Sequence, residues 1–196
     1  MTAIYKRLND SPAARWTALL IVSFTMMCGY FITDVMAPLE DLLTKSPAEG
    51  GLGWTSDEYG FFSGAYGYIN VFLLMLFFGG IILDKCGVRF TGTMSSSLMF
   101  VGALLKWYAL DNTFGDVQIF GYPVQVALAA LGFAIFGMGA EITGITVTKI
   151  IAKWFTGHEM ALAMGLQVAM ARIGTAAALA CSLPIAKAMG NVSAPL

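Results

Sequence analysis

Glu141 and Arg172 are single charges set in long apolar runs. An ionisable side chain in such a run is costly to bury and marks a binding site or a pathway. One charge of each sign suits a zwitterion. Arginine holds a carboxylate through two parallel hydrogen bonds, and a glutamate receives an ammonium. The plainer reading is a structural ion pair joining the two helices. Tyr30 and Asn70 add polar groups in other apolar runs, as ligand contacts or as packing hydrogen-bond partners. Asp34, one turn beyond Tyr30, is either a water-facing gate or a helix-end charge.

The depths of these residues agree. At 1.5 Å per residue, Glu141 lies roughly 18 Å from Lys153, and Arg172 roughly 20 Å from Glu159. Tyr30 is roughly 21 Å from Trp16, and Asn70 roughly 21 Å from Asp84. All four fall near the middle of a hydrocarbon core about 30 Å thick.

The elements that position them must be helices in lipid. The 196 residues are 58% hydrophobic and only 12% charged, and the mean hydropathy is +0.74. A soluble domain has about 25% charged residues. This excludes a soluble globular enzyme, a disordered chain and a collagen-like fibre. The net charge of −1 gives no basic stripe for nucleic acid. Three cysteines without CxxC spacing read as free buried thiols, and the single His158 excludes a histidine metal site.

A span needs about 20 mostly apolar residues. Five helices are expected, near Trp16–Pro38, Glu58–Leu83, Phe90–Leu110, Tyr122–Ile151 and Met160–Ala188. A tail over 1–15 precedes this bundle of 16–189, and 190–196 is a truncated link toward a missing sixth helix. Leu39–Asp57 reads as an exposed external loop. Lys6, Arg7, Arg15, Lys85, Arg89, Lys149 and Lys153 fall on one side, against Lys45, Lys106 and Lys187 on the other, so the N-terminus is expected in the cytoplasm. Asp116 belongs to the acidic far face. Trp16, Trp54, Trp107 and Trp154 lie near the predicted interfaces. Gly60, Gly64 and Gly67, with Gly137, Gly139 and Gly144, are read as sites of close helix contact. Asn191-Val192-Ser193 matches a glycosylation sequon.

The most specific stretch is Gly80-Ile-Ile-Leu-Asp84-Lys85-Cys86-Gly87-Val88-Arg89. It resembles the GxxxD(R/K)xGxR signature of the major facilitator superfamily, at the junction of helices 2 and 3. Gly80 is expected to admit a close helix, and Gly87 to let the backbone turn. Trp154-Phe155-Thr156-Gly157-His158-Glu159 resembles that family's loop between helices 4 and 5. The resemblance implies that the loop carrying Asp84 and Arg89 contacts neighbouring helices as a conformational latch and stabilises the outward-facing state, and Glu159 is expected to pair with Lys85 or Arg89. Two positions depart from the pattern: Phe90 replaces a basic residue, and Phe133 stands where the family has an arginine.

Gly137-Met-Gly139-Ala-Glu141, Gly165-Leu-Gln167, Ala171-Arg172-Ile-Gly174 and Tyr30-Phe-Ile-Thr-Asp34 are similar to the branch containing lysosomal dipeptide uniporters and their bacterial relatives. The resemblance implies an all-α integral membrane protein with the major facilitator fold, namely an N-terminal bundle with about five of six transmembrane helices. It implies alternating access around Tyr30, Asn70, Glu141 and Arg172, and a dipeptide or similar zwitterion as substrate. An organic anion anchored on Arg172, or a non-transporting membrane partner, are the alternatives. No HExxH, nucleophile elbow or paired acids with a base are present, so no enzyme is expected. No cofactor is expected either, apart from proton coupling at Glu141 if burial favours its protonated form. The partners are the lipid bilayer, a small-molecule substrate and the missing C-terminal half. The expected location is a bacterial inner (plasma) membrane.

Overall fold

A computed structural model describes residues 11–49, 51–115 and 117–196. Lys6, Arg7 and Asp116, and most of the expected tail 1–15, lie outside them. The order is α1 (Pro12–Asp34), α2 (Glu40–Thr44), α3 (Ser56–Phe72), α4 (Met75–Asp111), β1 (Gln118–Ile119), β2 (Tyr122–Pro123), α5 (Val124–Phe155) and α6 (Met160–Met189). Among the described residues, four helical segments are long and apolar enough to cross a membrane: Pro12–Thr44, Met75–Asp111, Val124–Phe155 and Met160–Met189.

Local chemistry sets the boundaries. Pro12 opens α1, where its missing N–H costs nothing. α3 starts at Ser56 because Thr55 and Glu58 form a capping box: the Glu58 N–H donates to Thr55 Oγ1 at 3.2 Å, and the Thr55 N–H to Glu58 Oε2 at 2.6 Å. α6 ends on Gly190, whose φ of 66° suits a left-handed C-terminal cap.

The expected second helix is not continuous. It breaks at Leu73–Leu74, where Leu74 takes a left-handed backbone with φ 48°. Asn70 Nδ2 donates to the Tyr66 carbonyl at 2.9 Å; such back-bonding competes with the helical ladder just before the break. The expected turn between helices 2 and 3 is at Gly87, which leaves helical geometry inside α4 with φ 78° and ψ 172°. Only glycine adopts that conformation easily.

α5 is the central helix, with α3 and α4 packed along it, and α1 packs along α6. Glycines set the approach of α4 to α5. A Cβ on Gly102 would lie 2.4 Å from the Phe136 nitrogen, on Gly132 2.6 Å from the Lys106 nitrogen, and on Gly139 2.6 Å from the Ser95 carbonyl. The small-residue reading therefore holds at Gly137 and Gly139. It fails at Gly60 and Gly67, where a Cβ would meet nothing, and Gly64 faces only the Tyr68 ring of its own helix.

The Leu39–Asp57 segment is not simply exposed. It folds back through α2, burying Leu39, Leu43 and Trp54 in the main apolar cluster with Phe62, Phe133 and Phe136. Trp54 is thus a core residue, not part of an interfacial belt, and its indole N–H donates to Gln125 Oε1 at 3.1 Å. Cys28, Cys86 and Cys181 are free, as expected, but exposed on the protein surface rather than buried.

Candidate functional site in the helical bundle

Four helices, α1, α3, α4 and α5, meet at a small polar cavity. Its volume is about 50 Å³, and Thr25, Tyr30 and Thr33 of α1, Tyr66 of α3, and Glu141 and Thr143 of α5 contribute its polar groups. Liquid water occupies about 30 Å³ per molecule, so the cavity has room for one ammonium-sized group. Gly137 explains why α3 comes so near α5: a Cβ there would lie 2.7 Å from the Tyr66 carbonyl. The Tyr66 hydroxyl then reaches one turn along α5 and donates to Glu141 Oε1 at 2.8 Å. Glu141 stays half-buried.

Tyr30 and Glu141, two of the expected site residues, are brought to this one cavity. Asn70 and Arg172 do not line it. Asn70 points into the α3–α5 contact, with its amide on the Tyr66 carbonyl and its Oδ1 buried without a hydrogen-bond partner among the described residues. The break at Leu73–Leu74 lies between Asn70 and Asp84, so a straight helical rise from Asp84 does not give its depth. Arg172 stands on the exposed face of α6. No ion pair joins Arg172 to Glu141 among the described residues, so the structural-pair reading is not what this structure contains. At the mid-depth expected from the sequence, a guanidinium facing lipid would be very costly.

Asp34 ties helices together. Its Oδ2 accepts from Thr175 Oγ1 of α6 at 2.6 Å, one turn beyond Arg172. Gly174 lets α1 come this close, since a Cβ there would overlap the Met27 carbonyl.

Two residues were missed. Tyr66 shares a helix face with Asn70 at a spacing of four, and that spacing was the available signal. Lys106, inside the expected third helix, is expected among the charges of the far side. It is instead 0% exposed, and its ammonium donates to the Ile32 carbonyl at 2.9 Å. It also lies 4.6 Å from the Phe133 ring centroid and 5.6 Å from that of Phe136. Ile32 is among the last carbonyls of α1, which have no partner within their own helix. Lys106 thus caps α1 from a neighbouring helix, with a cation at the negative end of the dipole.

The signature loop has a different partner from the one expected. Glu159 stands at the N-terminal boundary of α6 without a side-chain capping bond, and it makes no ion pair with Lys85 or Arg89 among the described residues. Asp84 instead pairs with Lys149 of α5 at 2.6 Å, and the same ammonium reaches the Leu83 carbonyl at 3.3 Å. Lys85 and Arg89 are exposed. The close helix contact expected of Gly80 belongs to Gly79, where a Cβ would lie 2.9 Å from Ile142. The sequon is engaged as well: Asn191 Nδ2 and Ser193 Oγ each donate to Asp111 Oδ1 at 2.7 Å, and Ser193 is buried.

Comparison with known proteins agrees with this architecture. The family model for the Major Facilitator Superfamily matches residues 19–190. The Lysosomal dipeptide transporter MFSD1 of Bos taurus is 28% identical over 164 residues, covering 83% of this chain and 31% of that protein. The human protein of that name is 27% identical over the same shares. The Danio rerio protein is 32% identical over 112 residues, 56% of this chain and 21% of its own length. The chain thus spans about a third of the length of the first of these relatives. No solved structure matches it. Membrane-length helices and a family match over nearly the whole sequence make this an integral, multi-pass membrane protein that belongs to the major facilitator superfamily.

Proposed function

We propose that the chain forms the N-terminal half of a secondary transporter that moves a small zwitterion, such as a dipeptide, by alternating access. The observation that carries this reading is the cavity where Tyr30, Tyr66 and Glu141 converge. Its size and its carboxylate suit the ammonium of such a substrate. Arg172, on a neighbouring helix, supplies the carboxylate anchor when the substrate extends beyond the cavity. The names of the MFSD1 relatives support a dipeptide over an organic anion.

Asp84 and Lys149 act as the latch at the proposed cytoplasmic end, joining α4 to α5 in one facing of the transporter. Protons, if they are coupled, enter at Glu141. A second half, from beyond the part of the family covered here, completes the pathway opposite α1 and α5. The excess of basic residues in the signature loop and at the α5 end supports a cytoplasmic N-terminus.

The test is uptake of a radiolabelled dipeptide into proteoliposomes holding the complete transporter. Arg172→Ala should abolish saturable uptake, and monocarboxylates should not compete. Unchanged uptake by Arg172→Ala, or competition by monocarboxylates equal to that by dipeptides, would overturn the zwitterion reading.

A further inference from the structure

The hairpin between α4 and α5 breaks two local preferences at one residue. Ile119 pairs with Tyr122, which leaves Phe120-Gly121 as a two-residue turn. Both turn residues have positive φ, 55° and 82°, the geometry that Asn-Gly or Gly-Gly usually fills. Phenylalanine is disfavoured there because its Cβ crowds the backbone. Its ring is also 94% exposed, with Val117 and Ile119 exposed beside it. Asparagine would suit both the turn and water better.

The surroundings supply a reason. Ile119 and Phe120 border a cleft of about 320 Å³, walled by Phe61 and Tyr68 of α3 and by Leu128 and Leu131 of α5. The only polar side-chain group on its described lining is the Tyr68 hydroxyl. Leu131 lies seven residues into α5, roughly 10 Å along its axis, so the hairpin folds down beside the spanning helices. Leu131 is also roughly 140° around α5 from Gly144, the residue that meets Met26 of α1. The cleft therefore opens away from α1 and the polar cavity, and it is continuous with the exposed apolar face of a membrane-crossing helix. An exposed apolar face of this kind suits the hydrocarbon of a bilayer.

We infer that Phe120 and this cleft form a lipid-facing wedge that holds an acyl chain of the leaflet on the hairpin side. An apolar medium removes the penalty of the exposed ring, and wedging the chain offsets the unfavourable turn. The inference needs only the membrane location and stands apart from the choice of substrate.

The test is fluorescence quenching of the complete transporter in phosphatidylcholine vesicles, with its native cysteines, Cys28, Cys86 and Cys181 among them, changed to serine. A bimane label is placed on Phe120→Cys and, as a reference in the exposed loop, on Ser46→Cys. Doxyl-labelled phosphatidylcholine should quench the label at 120 several-fold more than the label at 46, and aqueous iodide should show the reverse order. Equal iodide quenching at both positions, or a label at 120 reached by neither quencher, overturns the wedge. If Phe120→Cys disturbs the turn, a label on Leu131→Cys on the α5 wall gives the same reading.

Discussion

The Lys149 ammonium lies 2.6 Å from Asp84 Oδ1 and 3.3 Å from the Leu83 carbonyl, so one side chain holds both a carboxylate and a helical carbonyl next to the Gly87 turn. Both side chains are exposed. Such a pair contributes about 0–1 kcal/mol, too little to hold the fold but enough to change a two-state ratio by up to about fivefold. Lys149→Ala and Asp84→Asn should each lower thermal stability by less than about 1 kcal/mol. The double variant should lose no more than the larger single loss. A double-mutant cycle on melting in detergent checks this, and additive losses would remove the pair from any latch.

The Tyr66–Glu141 contact is a different case, because it is part-buried and charge-assisted. Hydrogen bonds to a charged group contribute about 1.5–3 kcal/mol. Tyr66→Phe removes the donor and should lower stability by roughly that amount. Glu141→Gln keeps an acceptor for Tyr66 and should melt close to the parent. In the complete transporter, however, Glu141→Gln should weaken dipeptide uptake at least tenfold, since the amide cannot neutralise an ammonium. Stability and uptake measured on the same two variants separate a packing role from a binding role.

Lys106 allows a prediction in which charge and volume act separately. Replacing a buried charge by an apolar side chain of similar volume is often neutral, and methionine retains the lysine stem. Lys106→Met loses the bond to the Ile32 carbonyl and should cost no more than about 1–2 kcal/mol. Lys106→Ala also opens a cavity against Phe133 and Phe136 and should cost about 2–5 kcal/mol. Equal losses in chemical denaturation would mean that the ammonium, not the stem, is what the site needs.

Much of the architecture was legible in the sequence because membrane helices carry a strong signal. Long apolar runs, the Asp84–Arg89 signature and the Gly87 turn all appear in the structure where their residue types place them. Contacts between helices were less legible. Asp84 and Lys149 sit 65 residues apart, and no local pattern selects Lys149 over Glu159 as the relevant charge. Lys106, five residues from the end of its helix, has the sequence context of a lysine that snorkels to the interface, and only packing shows it turned inward onto Ile32. The break at Leu73–Leu74 has no glycine or proline to mark it. Tyr66 was hidden because a tyrosine in an apolar helix reads as packing until its hydroxyl is seen to reach Glu141.

The glycines give the sharpest contrast between two substitutions of one kind. In a helix interior, glycine is less favourable than alanine by about 0.8–1 kcal/mol. At Gly60 a new Cβ would meet nothing, so Gly60→Ala should be neutral or stabilising by up to about 1 kcal/mol. At Gly139 the same methyl would lie 2.6 Å from the Ser95 carbonyl and 2.7 Å from the Met99 nitrogen. Both atoms are backbone and cannot swing away, so α4 and α5 must separate. That separation would strain the Thr143 hydroxyl bond to Ser95, 2.9 Å long in this interface. Gly139→Ala should therefore destabilise by roughly 1–3 kcal/mol, the usual cost of overpacking, despite its better helix propensity. Melting temperatures in detergent should move in opposite directions for the two variants. A shift of the same sign in both would mean that propensity, rather than the approach of α4 to α5, controls these positions.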